Sequence, residues 1–217
     1  MTYLDLSHII FDGLVTYKGL PAPHICDYLS REASADFYET GTTFQIGRID
    51  MVANTGTYMD CPFHRYEDGR DLAAIHLHEV VNLPGIVIRA TDHTVIGPQL
   101  FFGKEIRGKA VLVHTGWSRH FNTEKYYSGH PFLTEDAALF LRNEGAAVVG
   151  IDSHNIDDTS GNRRPVHSIL LAAEIFIVEH MAHLDQLPEG DFLFSAVPPK
   201  IKGMGTFPVR AFASLRE

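Results

Sequence analysis

Residues 51–69, MVANTGTYMDCPFHRYEDG, decide how this chain is read. Eleven of them hold Asn54, Gly56, Thr57, Tyr58, Asp60, Pro62 and His64, a mixture that suits neither a regular helix nor a long strand. Gly56 permits a positive φ or a close backbone approach. Pro62 fixes the backbone between Asp60 and His64, so a rigid loop can project both side chains into one cleft. An aspartate there ligates a metal or orients an imidazole, and a histidine accepts a proton near neutral pH. A plain turn with an Asx hydrogen bond and an exposed histidine fits the same spacing. The residues alone leave both readings open.

Around this stretch the composition narrows the class. A chain of 217 residues is long enough for one domain, 1–217, with its own hydrophobic core. Hydrophobic residues at 45% against 21% charged predict a folded globular protein and exclude a disordered one. A formal net charge of -9 argues against nucleic acid as a partner, because phosphate binding needs a basic surface. The N-terminus MTYLDLSHIIFDGL lacks the basic and apolar regions of a signal peptide. No uncharged apolar run reaches the roughly 18 residues that span a membrane. Cys26 and Cys61 form no disulfide framework, so a cytoplasmic protein with free thiols is expected.

Secondary structure reads as mixed α/β. YLDLSHII, FQIGRIDMVA, LPGIVIRAT, KAVLVHTGW, AAVVGID and IFIVEHM are strand candidates, with GDFLFSAVP and FPVRAFASL at the end. DGLVTYKGLPAP is a loop, and RDLAAIHLHE a short helix or turn. Two segments carry helical patterning: TEDAALFLRNEGA, capped by Thr134 and stopped at Gly145, and VHSILLAAE. That is too few crossover helices for a strictly alternating dinucleotide fold. Neither G-x-G-x-x-G nor a Walker A sequence is present, so nucleotide binding has no support.

Two further constellations hold chemistry. His167 and Glu179 stand twelve residues apart in VHSILLAAEIFIVEHM, and Glu179 ends a buried-type strand. A buried carboxylate needs a partner. A metal, a histidine, or an ion pair with Arg163, Arg164 or Arg210 would serve. Asp152 follows an apolar strand, where carboxylates often line α/β clefts or cap a turn. There is no G-x-S-x-G elbow, and nothing activates Cys61 as a nucleophile. The remaining histidines, His76 and His78 among them, read as structural or solvated.

The loop NTGTYMDCPFH resembles the signature H-x-G-T-H-x-D-x-P-x-H of the metal-dependent cyclase family, which includes kynurenine formamidase and isatin hydrolase. Gly56, Thr57, Asp60, Pro62 and His64 match it, as do His167 and Glu179 in spacing. LDLSH, VLVHTGW, VVGIDSHNID and KIKGMGTFPVRAFA extend the resemblance over nearly the whole chain. The resemblance implies a cyclase-like α/β fold of swivelling β/β/α type, a mixed or barrel-like sheet packed with helices, in a homodimer or homotetramer. It implies hydrolysis of a small amide, lactam, lactone or N-formyl substrate with Zn or Mn. By position, Asp60, His167 and Glu179 become metal ligands and His64 the general acid/base. The metal would lower the pKa of water and polarise the carbonyl while His64 shuttles protons.

Asn54 and Tyr58 replace two signature histidines. An amide oxygen is a weak ligand, and a phenol ligates well only when deprotonated, at a pKa of about 10. The expected site is therefore mononuclear, with Asn54 as a weak ligand and Tyr58 a further catalytic group. Two alternatives stand beside it: a metal-free dehydratase or isomerase acting through Tyr58 and His64, and a non-catalytic small-molecule-binding homologue. Tyr17, Phe63 and Trp117, with Asp152, are expected to meet the substrate, and Tyr66 is a further aromatic near the cleft.

Overall fold

The computed structural model describes residues 1–215. In chain order its strands are β1 (Thr2–Asp5), β2 (His24–Leu29), β3 (Ile46–Asp50), β4 (Tyr58–Asp60), β5 (Leu83–Arg89), β6 (Val95–Ile96) and β7 (Ala110–His114). There follow β8 (Phe132–Leu133), β9 (Val148–Ile151), β10 (Phe176–Glu179), β11 (Phe192–Ser195), β12 (Thr206–Pro208) and β13 (Phe212–Leu215). The helices are a single turn α1 (Arg31–Ser34), then α2 (Glu135–Glu144) and α3 (Pro165–Ala172), joined by several 3-10 turns.

Nine strands form one mixed sheet in the order β1-β13-β11-β5-β7-β9-β10-β4-β12, curled into a half-barrel. Its centre, β5 to β10, is parallel, and both flanks are antiparallel. The parallel centre is covered on both faces, which is why its strands read as continuous apolar runs. On β7, Ala110 and Leu112 enter one core while Val111 and Val113 enter the other. The second core also receives Ala137, Ala138 and Leu141 of α2, and Val166, Leu170 and Leu171 of α3. β1 pairs with β13, so the two ends of the chain close the same sheet.

Most of the expected elements form where the sequence puts them. Thr134 caps α2 by accepting from the Ala137 N–H, and Gly145 ends it at φ 75°. RDLAAIHLHE becomes two 3-10 turns at Leu72–Ala74 and Leu77–Glu79. β2 was not expected. It pairs with β3 in a separate two-stranded ribbon, and every residue of β3 is exposed. The FQIGRIDMVA strand therefore stops short of the signature loop, because its ladder partner is β2 and not the main sheet. Among the described residues no helix is long and apolar enough to cross a membrane.

Candidate active site

The register of the main sheet assembles the site. Tyr58 lies opposite both Glu179 of β10 and Pro208 of β12, and Asp60 lies opposite Ile177 and Thr206. Side chains two apart on a strand share a face. Tyr58, Asp60, Glu179 and Thr206 are thereby brought to one side of the sheet. Just beyond the strand, the 3-10 turn Pro62–His64 carries His64, four residues after Asp60, to the same place. Two glycines make the packing possible. Gly56 sits at φ +67° with the Ile10 side chain 2.7 Å from where a Cβ would be. At Gly205 a Cβ would collide with the backbone of His64.

A cavity of about 400 Å³ opens here, and Tyr17, Asn54, Tyr58, His64, His167 and Glu179 all line it. Asp60 is fully buried against them. Its Oδ1 accepts a hydrogen bond from the Thr206 hydroxyl. Thr206 has spent its proton there, so the 2.7 Å contact between Thr206 Oγ1 and His64 Nδ1 requires the imidazole to donate. His64 then holds its lone pair on Nε2. Asp60 Oδ1 itself is 3.6 Å from His64 Nδ1, so the threonine carries the orienting contact.

The other Asp60 oxygen, Oδ2, is buried and has no hydrogen-bond partner among the described residues. It lies 3.6 Å from His167 Nε2, which in turn is 3.7 Å from Glu179 Oε1. A Zn-type ion bound at about 2.0–2.2 Å in tetrahedral geometry separates its ligands by about 3.3–3.6 Å, so these spacings suit a cation. Asp60, His64 and His167 also bring ligand atoms within 4.8 Å of one another. Asp157 Oδ2 holds His167 Nδ1 at 2.6 Å and accepts its backbone N–H, which leaves Nε2 turned to the carboxylates. A carboxylate behind a histidine in this way is the usual support of a metal-ligating imidazole. Burial alone would lower His167, but Glu179, Asp157 and Asp60 outweigh it and hold the imidazolium up to about 10. Such an excess of buried negative charge favours a cation. The residues fit a single divalent metal.

One of the two departures from the signature, Tyr58, has a structural explanation. Tyr58 is buried, and its hydroxyl donates to Glu179 Oε2 at 2.7 Å. Burial, with Glu179 and Asp60 beside it, pushes the phenol well above 10, the Asn54 amide opposing. It is a neutral donor there, not a phenolate ligand. His180 supports it from behind. Its Nε2 is 3.2 Å from the Tyr58 oxygen, and its Nδ1 is 2.8 Å from the Tyr126 hydroxyl. Burial pulls His180 well below the usual imidazole range, so one neutral tautomer completes the chain. Glu179 Oε1 accepts from the Ile156 N–H at 2.6 Å. Glu179 is pushed up, chiefly by burial, and pairs with none of Arg163, Arg164 or Arg210.

Several expected cleft residues lie elsewhere. Phe63 packs against the hydrophobic core. Trp117 donates its indole N–H to the Tyr126 carbonyl, and Asp152 is consumed by Thr115 and the Gly116 N–H. None of the three lines the cavity, because their local hydrogen bonds and packing hold them away. Tyr66 bonds the Ser168 carbonyl through its hydroxyl. Cys61 is buried, and burial raises its thiol to about 11, which disqualifies it as a nucleophile. The sequence reading missed Thr206, Asp157, His180 and Tyr126. Asp157 lies in VVGIDSHNID, His180 in VHSILLAAEIFIVEHM and Thr206 in KIKGMGTFPVRAFA, so of the four only Tyr126 falls outside the stretches that carry the resemblance or the buried carboxylate.

With this geometry in view, residues 4–158 match the family model described as putative cyclase. The chain belongs to that family. This cyclase-family chain is 28% identical over 210 residues to kynurenine formamidase of Bacillus cytotoxicus, covering 96% of the chain and 95% of the relative. The same enzyme of Bacillus cereus is 27% identical with the same coverage. Among solved structures, one described as a potential metal-dependent hydrolase with cyclase activity superposes at TM-score 0.81 and 28% identity, covering 100% of this chain and 98% of that one. Isatin hydrolase A from Labrenzia aggregata superposes at TM-score 0.82 with 22% identity, covering 100% and 94%, and shares the fold. The chain is a hydrolase of the cyclase family.

Proposed function

We propose that this cyclase-family chain hydrolyses a small amide, N-formyl, lactam or lactone substrate at a mononuclear site for a divalent metal, Zn or Mn. The observation that carries this reading is the unpartnered Asp60 Oδ2, buried 3.6 Å from a histidine nitrogen that a second carboxylate orients. The relatives named kynurenine formamidase support amide chemistry. Asp60, His167 and Glu179 would hold the ion, with Asn54 at its edge. Bound there, a divalent cation supplies Lewis acidity to a carbonyl and lowers the pKa of water.

The chain's own residues do the rest. His64, with its lone pair on Nε2, takes a proton from the attacking water and returns it to the leaving nitrogen or oxygen. Thr206 and Asp60 fix the ring so that this nitrogen faces the cavity. Tyr58 donates to Glu179 Oε2 and the Ile156 N–H to Oε1, which leaves that carboxylate too little capacity for a second ion, so one metal is assigned and not two. Copies would associate into a homodimer or homotetramer through the β2–β3 ribbon, where Tyr28, Ile46 and Ile49 are exposed. With Cys26 and Cys61 unbridged, a cytoplasmic location suits the protein.

Metal analysis of protein purified without a metal-affinity tag tests the reading. One equivalent of Zn or Mn, and turnover of formanilide that a chelator abolishes and the metal restores, are expected. Chelator-resistant turnover with no bound metal would transfer the chemistry to Tyr58 and His64 alone.

A further inference from the structure

A second cavity, of about 450 Å³, shares no lining residue with the first. It opens at the carboxyl ends of the parallel strands β5 and β7, the edge at which open α/β sheets take ligands. Thr91, just past β5, lines it, as do His114, Gly116, Ser118 and Arg119 at and beyond the end of β7. The proton of His114 has one place to be. Arg89 Nη1 lies 3.1 Å from His114 Nδ1, and a guanidinium only donates, so Nδ1 accepts and the ring carries its hydrogen on Nε2. Burial lowers His114 from the usual imidazole range, with Asp152 opposing and Arg89 assisting, and keeps the ring neutral. That Nε2–H has no acceptor. Asp152 Oδ2 is 4.0 Å away, and both Asp152 oxygens are taken by Thr115 and Gly116. Arg119 spends only its Nε, on His120 Nε2 at 3.3 Å, and pairs with no carboxylate among the described residues.

Gly116 brings these donors together. A Cβ added to it would stand 3.5 Å from Arg119 Nη1, 3.8 Å from His114 Nε2 and 3.7 Å from Thr91 Cγ2. The bare backbone there is flanked by a guanidinium and an N–H donor. The hydroxyls of Thr91 and Ser118 line the same cavity and bond to nothing among the described residues. Converging donors with no acceptor inside the protein suit an oxyanion. The local charge decides which kind. Arg119 and Asp185 are the two formally charged side chains in the lining, and they do not pair with each other. A dianion would meet one guanidinium and one carboxylate, so a singly charged planar group fits better. His183 is exposed, already meets the Gln186 amide at 3.3 Å and is not part of the donor set. We propose that this cavity binds a small organic monocarboxylate, held over Gly116 by Arg119 and the Nε2–H of His114, with the Thr91 and Ser118 hydroxyls beside it. Hydrolysis of each substrate class named above releases a carboxylate, so the ligand is of a kind that the reaction itself produces. The binding does not depend on that reaction.

Titration of the zinc-loaded protein with sodium acetate, followed by NMR of the His114 imidazole at constant chloride, tests this. A saturating shift with a Kd in the millimolar range is expected, as befits so small a probe. Arg119→Met should raise that Kd about tenfold or more, because a charge-assisted contact is lost from an exposed residue that the fold does not need. Gly116→Ala keeps every charge but fills the hollow with a methyl, and should weaken acetate several-fold. Asp60→Ala, which empties the first cavity of its metal, should leave the titration as it is. Inorganic phosphate should bind more weakly than acetate. No saturating shift of His114 in the native protein, a shift that survives Arg119→Met, or one lost in Asp60→Ala overturns the proposal. Phosphate that binds as tightly as acetate overturns the choice of a monocarboxylate. None of these readings uses turnover, so their failure is distinct from a failure of the hydrolytic assignment.

Discussion

Two cavities of similar size, both lined by histidine, lie in this molecule, and only one is built for chemistry. The first, of about 400 Å³, ends on His64 and His167; the second, of about 450 Å³, is lined by His8, His114 and His183 with Arg119 and Asp185. In the first, carboxylates converge on His167 and hold its proton up to about 10. In the second, burial, with His183 nearby, drives His8 down to about 4. The acid nearest His114 is Asp152, 4.0 Å away and already spent on Thr115 and Gly116. Histidine content is therefore a poor guide to a site. What distinguishes the first cavity is a buried carboxylate oxygen with nothing yet bonded to it.

The contrast breaks most sharply at Asp60. Asp60→Ala should abolish metal binding and lower kcat/KM by about 10³-fold or more, since a ligand and the brace of His64 go together. The matched change in the second cavity, His183→Gln, is expected to leave metal content and activity within about twofold. Elemental analysis of both variants beside their rates reads this directly, and loss of metal from His183→Gln would end the distinction.

His64→Gln separates proton transfer from metal binding. It should retain the ion while kcat falls by about 10²–10⁴-fold, the range for losing a general acid/base. Thr206→Val removes the hydrogen bond that fixes the imidazole tautomer and should lower kcat by less, with its pH profile altered. A normal profile in Thr206→Val would show that His64 is oriented by something else.

Behind the ligands, Asp157→Asn should weaken metal affinity by about 10–100-fold without removing any group that touches the ion. Competition against a chelator of known affinity measures it. Unchanged affinity would mean that His167 keeps its orientation without the carboxylate.

The smallest effect concerns acid. His154 is buried, and burial together with nearby His130 lowers it to about 3. In the unfolded chain it titrates near 6.5, so between those values the unfolded state binds more protons. Its contribution is complete above pH 6.5 and is lost as pH falls toward 3, on the order of 2 kcal/mol by pH 5. His8 acts in the same direction. Urea unfolding at pH 7.5 and 5.0 should show a lower midpoint in acid, and His154→Phe should flatten the difference.

The helix α2 and the central parallel strands were legible because local signals suffice for them. Thr134 and Gly145 announce the ends of α2, and two-sided burial writes β7, β9 and β10 as apolar runs. The strand β2 is not legible, since in HICDYL no residue is fully buried and the half-buried Ile25, Cys26 and Leu29 follow no alternation. The spacing of Asp60, His64, His167 and Glu179 identified the floor of the site through its resemblance to a known signature.

By itself the sequence determined the α/β class, the family and the acidic floor, because these rest on local patterning and on a motif compressed into eleven residues. Tertiary structure alone decided which partner each group faces. Thr206 reaches Asp60 across 146 positions of chain, and Tyr58 reaches Glu179 across 121. Those contacts follow from the antiparallel pairing of β4 with β12 and β10, and a register between distant strands leaves no trace in the residues near either one.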